Sequence, residues 1–63
     1  MPADLQKALA GNRDALNNFK HFAQGYRNLY ILWVDDAKTE VTRTRRIAEV
    51  VARSAINKKL GIN

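Results

Sequence analysis

Apolar residues recur along most of this chain at intervals of three and four, the spacing of one face of an α-helix. Leu5, Ala8 and Leu9 set that rhythm behind Pro2, Ala3 and Asp4. Proline tolerates the first helical turn, and an aspartate there favours the positive end of the helix dipole. Gly11 suits the stop, because glycine accepts the left-handed backbone that often ends a helix. A first helix over 3–10 follows. Asn12 can cap a second over 13–22, with Asp14 in its first turn. Ala15, Leu16, Phe19, Phe22 and Ala23 then share one face. Gly25 is read as the next break.

The stretch "NLYILWV" is ambiguous, since Tyr, Ile, Leu, Trp and Val all form strands well. Periodicity decides for helix: Tyr26, Tyr30, Trp33 and Ala37 fall at i, i+4, i+7 and i+11. A lone strand would also find no partner for its backbone. The third helix spans 26–37, with Tyr30 and Trp33 read as core. The pattern continues through Val41, Thr44, Ala48, Val51 and Ala55 without Gly or Pro. A single helix that long would outrun the two short helices meant to cover it. Thr39 offers the break, as an N-cap with Glu40 in the first turn beyond. The fourth helix runs over 40–59. On a wheel, Ile47, Ala48, Val51 and Ala55 face the core. Val50, Ile56 and Ile62 find no place there, and a self-association surface is one use for them. The fold class is all-α: a bundle of about four helices in a single domain, 1–63.

A chain of 63 residues without cysteine must hold itself together by apolar packing, with neither a disulfide nor a thiolate zinc site. No signal peptide is visible at the start. The longest apolar run, Leu29 to Val34, is far short of the roughly 20 residues a membrane span needs. A cytoplasmic setting is the expectation. The net charge of +5 is uneven: residues 1–38 carry five basic and four acidic side chains, residues 39–63 six and two. Such asymmetry keeps a small domain soluble, and it can also attract nucleic acid, an anionic membrane or an acidic protein.

Charge is dense in "WVDDAKTEVTRTRR", Trp33 to Arg46. Arg46 and Arg53 are seven apart and share one side of the fourth helix, Arg43 sits at the edge of the same sector, and Arg45 points elsewhere. Glu49 can pair with Arg46 or Arg53. Asp35 and Asp36 stand at a helix C-terminus, where the dipole disfavours negative charge, so Arg43, Arg46 or Lys38 should lie close. Two readings stay open: an electrostatic clasp around the junction, or arginines held ready for a carboxylate or phosphate. The candidate residues for either are Tyr30, Trp33, Asp36, Lys38, Thr42, Arg43, Arg46 and Arg53.

Tyr30 and "WVDDAK", followed by "TRTRRI" (Thr42 to Ile47), resemble the C-terminal helical module of the YdeI/OmpD-associated, bacteriocin-protection family. Its pattern reads approximately Tyr-x-x-Trp-aliphatic-x-x-Ala-Lys-x-x-x-Thr-Arg-x-x-Arg-Ile. Tyr30, Trp33, Val34, Ala37, Lys38, Thr42, Arg43, Arg46 and Ile47 fill those places, and "PADLQKALAGNRDALNNF" is similar to the module's start. Relatives often carry proline near position 40, where this chain has Glu40. The resemblance implies a role in resistance to bacteriocins and antimicrobial peptides, and association with an outer-membrane porin. Many members also carry an N-terminal α/β domain; the resemblance here covers the helical module.

Catalytic chemistry is thin. His21 is the only histidine and reads as a surface or boundary side chain. Asp35 and Asp36 diverge by about 100° on a helix and do not make an acid–base pair. No nucleophile–base set, phosphate loop or metal motif stands out, so no cofactor, metal or enzymatic activity is expected. The leading expectation is a non-enzymatic interaction module for a protein or envelope component. Nucleic-acid binding is second, because a basic helix after a helix and turn resembles a helix-turn-helix. Attachment to anionic lipid ranks lower, because the last helix needs its apolar arc for the core.

Overall fold

A computed structural model describes residues 1–57. It contains four helices: α1 (Ala3–Ala10), α2 (Arg13–His21), α3 (Gln24–Asp35) and α4 (Glu40–Ala55). No strand occurs among the described residues, and none of their helices is long and apolar enough to cross a membrane. The caps at Asn12 and Thr39 form as the sequence indicates. Asn12 Oδ1 accepts from the Ala15 amide at 3.1 Å, and Thr39 Oγ1 from the Thr42 amide at 3.2 Å. Each satisfies a donor that the first helical turn leaves open.

Several of the expected helix ends move. The α2–α3 break lies at Phe22 and Ala23, both extended, rather than at Gly25. That kink turns the Phe22 ring inward against Tyr30, with centroids 6.1 Å apart. Gly25 sits inside α3, which therefore runs 24–35 rather than 26–37. Gly11 does end α1, but in a right-handed conformation with φ −75°. Finally, α4 stops at Ala55 instead of continuing to 59. Asn57 takes the left-handed conformation, φ 60°, and its amide returns to the Ser54 carbonyl at 3.0 Å. Asparagine is among the few non-glycine residues that tolerate that turn. Asn18 Nδ2 reinforces the stop from α2, donating to the Ser54 carbonyl at 2.8 Å. Residues 58 and 59, expected within the last helix, lie outside the described residues, as does Ile62.

The core consists of Leu5, Leu9, Ala15, Phe19, Phe22, Tyr30, Val34 and Val50. Phe19, Phe22 and Tyr30 form its aromatic centre, with ring centroids 6.0 to 6.2 Å apart, within the range where offset and edge contacts are favourable. Val50, which found no place on the expected arc, is fully buried, whereas Ala48 and Val41 are exposed. Ser54 is buried beside Val50. α4 is thus rotated from the expected phase so that Val50 and Ser54 face α2. α3 rotates likewise: Tyr30 and Val34 are enclosed, while Trp33 is half-buried at the edge of the core. Trp33 is therefore not the interior residue its spacing implies.

Candidate functional site

The Asp36–Thr39 turn brings the C-terminus of α3 against the N-terminal half of α4. Around it, the arginines separate into two kinds. Arg43 is fully engaged. Its Nε donates to Asp4 Oδ2 at 2.6 Å and its Nη2 to Asp4 Oδ1 at 3.0 Å, while Nη1 reaches Asp35 Oδ1 at 3.1 Å. The fork of the guanidinium suits a carboxylate held at two points. One side chain of α4 thus binds α1 and the acidic end of α3. The hydrogen bond from Arg43 is also the main reason the Asp4 carboxyl lies below its usual value; Asp4, and then Asp35, raise that of Arg43.

Arg46 is placed differently. Nη1 donates to the Trp33 carbonyl at 2.8 Å, and the guanidinium carbon lies 5.3 Å from the centroid of the Trp33 ring. Asp36, the nearest carboxylate, is 4.0 Å away and 82% exposed, so it neutralises Arg46 weakly. The backbone bond and the ring therefore hold Arg46 in position while most of its donors stay open. Arg53 is spent on Glu49, its Nε donating to Oε2 at 2.6 Å, which raises its proton affinity. Trp33, Thr42, Arg45, Arg46, Glu49 and Arg53 together line a groove of about 450 Å³ between α3 and α4. Arg45, which the wheel sends elsewhere, is one of its walls.

The other candidates fall around this groove. Thr42 is fixed by Thr39, whose Oγ1 lies 3.0 Å from its own. Tyr30 lies beneath, wholly buried; loss of solvent is the main reason its hydroxyl holds its proton more tightly than usual, opposed by Arg53 and assisted by Glu49. Asp36 and Lys38 are exposed on the turn. His21 stands apart on α2, its Nδ1 2.7 Å from the Asn17 carbonyl. Because a carbonyl can only accept, that nitrogen carries the proton. Among the described residues, no group of three or more His, Cys, Asp or Glu side chains could hold a metal ion.

A buried tyrosine, a tryptophan under an arginine and a second arginine clasping the junction therefore occupy one end of the bundle. The model of a family described as bacteriocin-protection, YdeI or OmpD-associated matches residues 1–57. The chain belongs to that family. No curated protein and no solved structure matches it.

In this member of the bacteriocin-protection family, the motif residues divide between framework and surface. Arg43 is tied into the framework, and Tyr30 and Val34 are interior. Trp33, Thr42 and Arg46 meet solvent in the groove. Sequence reasoning placed Asp35 near Arg43 but missed Asp4, whose only visible signal was its helix-start position. It also missed the Asn18 cap, since no local pattern links residues 36 positions apart.

Proposed function

We propose that this domain is a non-enzymatic interaction module that binds a protein or envelope component through the α3–α4 groove. Bacteriocin or antimicrobial-peptide resistance, or envelope stress, in a bacterial cytoplasm is the proposed setting, and membership of the bacteriocin-protection family supports it. The observation that carries the reading is the state of Arg45 and Arg46. Of the four arginines on α4, Arg43 and Arg53 are joined to carboxylates within 3.1 Å. Arg46 has one distant carboxylate, and Arg45 has no ion-pair partner among the described residues. On α3, Leu29 and Leu32 are 45% and 66% exposed. Leu29 lies one turn before Trp33. Open cations on α4 and exposed leucines on α3 are what a protein partner with carboxylates and apolar side chains can use.

Nucleic-acid binding is the second reading, supported by the same open arginines on a helix that follows a turn. Two features weigh against it. Arg46 covers one face of Trp33, so a base could not stack there without displacing it. Glu49 stands in the groove wall, where a phosphate would meet a carboxylate. An amide NMR titration with a mixed-sequence DNA duplex separates the two. The interaction-module reading expects no saturable shifts at near-physiological salt. Saturable shifts on Arg45, Arg46 and Arg53 that fade as salt rises would put nucleic acid first.

A further inference from the structure

A second cleft lies on the opposite side of α3 from Trp33. Leu16, Phe19 and Lys20 enter it from α2, at i, i+3 and i+4; Gln24, Arg27, Asn28 and Ile31 enter from α3, at i, i+3, i+4 and i+7. Each set is therefore a single helical face. The cleft encloses about 290 Å³, near the lower end of the size range for small-molecule sites, roughly 300 to 1,000 Å³. Its floor is apolar. Phe19 is 3% exposed, and Leu16 and Ile31 pack against the core while remaining partly open. Its lip is cationic: Lys20 and Arg27 both line it, and Arg27 Nη1 donates to the backbone carbonyl of Lys20 at 3.4 Å. No carboxylate lines the cleft, and neither cation has an ion-pair partner among the described residues.

We infer that this cleft binds a small amphipathic carboxylate, with its apolar chain on Phe19, Leu16 and Ile31 and its anion between Lys20 and Arg27. An apolar floor alone would accept any hydrocarbon, and two cations alone would accept any anion. The combination selects a molecule that carries both, with the charge at one end. The neutral amides of Gln24 and Asn28 beside the lip add donors for the second carboxylate oxygen without adding a competing negative charge. The cleft and the α3–α4 groove stand on different faces of α3, so this inference does not depend on what the groove binds.

Octanoate tests it, followed by amide NMR of the labelled domain, with acetate and octylammonium as probes of charge and chain alone. Saturable shifts centred on Leu16, Phe19, Lys20, Arg27 and Ile31 are expected with octanoate and with neither control at equal concentration. Lys20→Gln with Arg27→Gln should weaken octanoate binding about tenfold or more, in keeping with the loss of charge-assisted hydrogen bonds. Lys20 is exposed, so Lys20→Gln alone gives a folded variant in which a smaller weakening should still appear. Equal shifts with octylammonium would overturn the inference by reducing the cleft to a greasy surface. It would be overturned equally by acetate reproducing the effect, by octanoate shifts centred on Arg45 and Arg46, or by shifts that never saturate.

Discussion

Val50 is completely enclosed, while Val41, earlier on the same helix, is 68% exposed. Removing two methyl groups at position 50 leaves a cavity against α2; at position 41 it changes only a solvated surface. Val50→Ala should cost about 2 to 3 kcal/mol, and Val41→Ala less than about 0.5 kcal/mol, measured by urea unfolding. A larger cost at position 41 than at position 50 would restore the expected phase of α4. The sequence hid that phase because the buried arc of α4 includes a serine. Ile47, Val50, Val51 and Ser54 surround its centre, about 60° from the centre of the purely apolar set Ile47, Ala48, Val51 and Ala55. A wheel that counts only apolar residues follows the second set. Trp33 misled for a related reason: a large ring at helical spacing suggests an interior, yet this one is half-covered, beneath Arg46.

The helices themselves were legible because their starts carry local signals. Asn12 and Thr39 have the side-chain oxygens that cap a helix, and both do so. The breaks that depend on tertiary contacts were not legible. Phe22 and Ala23 leave the helical conformation so that an aromatic ring can reach the core, and Asn18 secures the end of α4 from another helix. Gly25 is the instructive error. A Cβ built there meets nothing within 4 Å, and the residue lies in the first turn of α3. Gly25→Ala should therefore stabilise the domain by about 0.5 to 1 kcal/mol, through a less flexible unfolded chain and better helix propensity. Thermal unfolding followed by circular dichroism checks this. A lower midpoint would show that the glycine serves a conformation other than this helix.

Across the whole molecule, one guanidinium joins three helices. Arg43 holds Asp4 of α1 and Asp35 of α3, and both carboxylates are about half-exposed, so the clasp is a means of fixing the junction more than a large source of stability. Its pH dependence has a definite sign. Asp4 is held below its ordinary value, so its contribution is complete above the unfolded value of about 3.9 and is lost as pH falls through the lowered folded one. Asp4→Asn should be less stable than the wild type at pH 7, and the difference should shrink as acid titrates the wild-type carboxylate. A gap that stays constant would assign the loss to something other than the ion pair. With Arg43 and Arg53 occupied by carboxylates, the open charge of α4 concentrates on Arg45 and Arg46, which is why we propose the groove as the binding surface. A photo-crosslinking amino acid at the exposed position 41, one turn before Arg45, tests this assignment in living bacteria, with the same group at Lys7 on α1 as control. The account predicts a protein adduct from position 41, none from position 7, and loss of the adduct when Arg46→Gln is added to a domain that still folds. A nuclease-sensitive adduct, or one that forms equally from both positions, would contradict it.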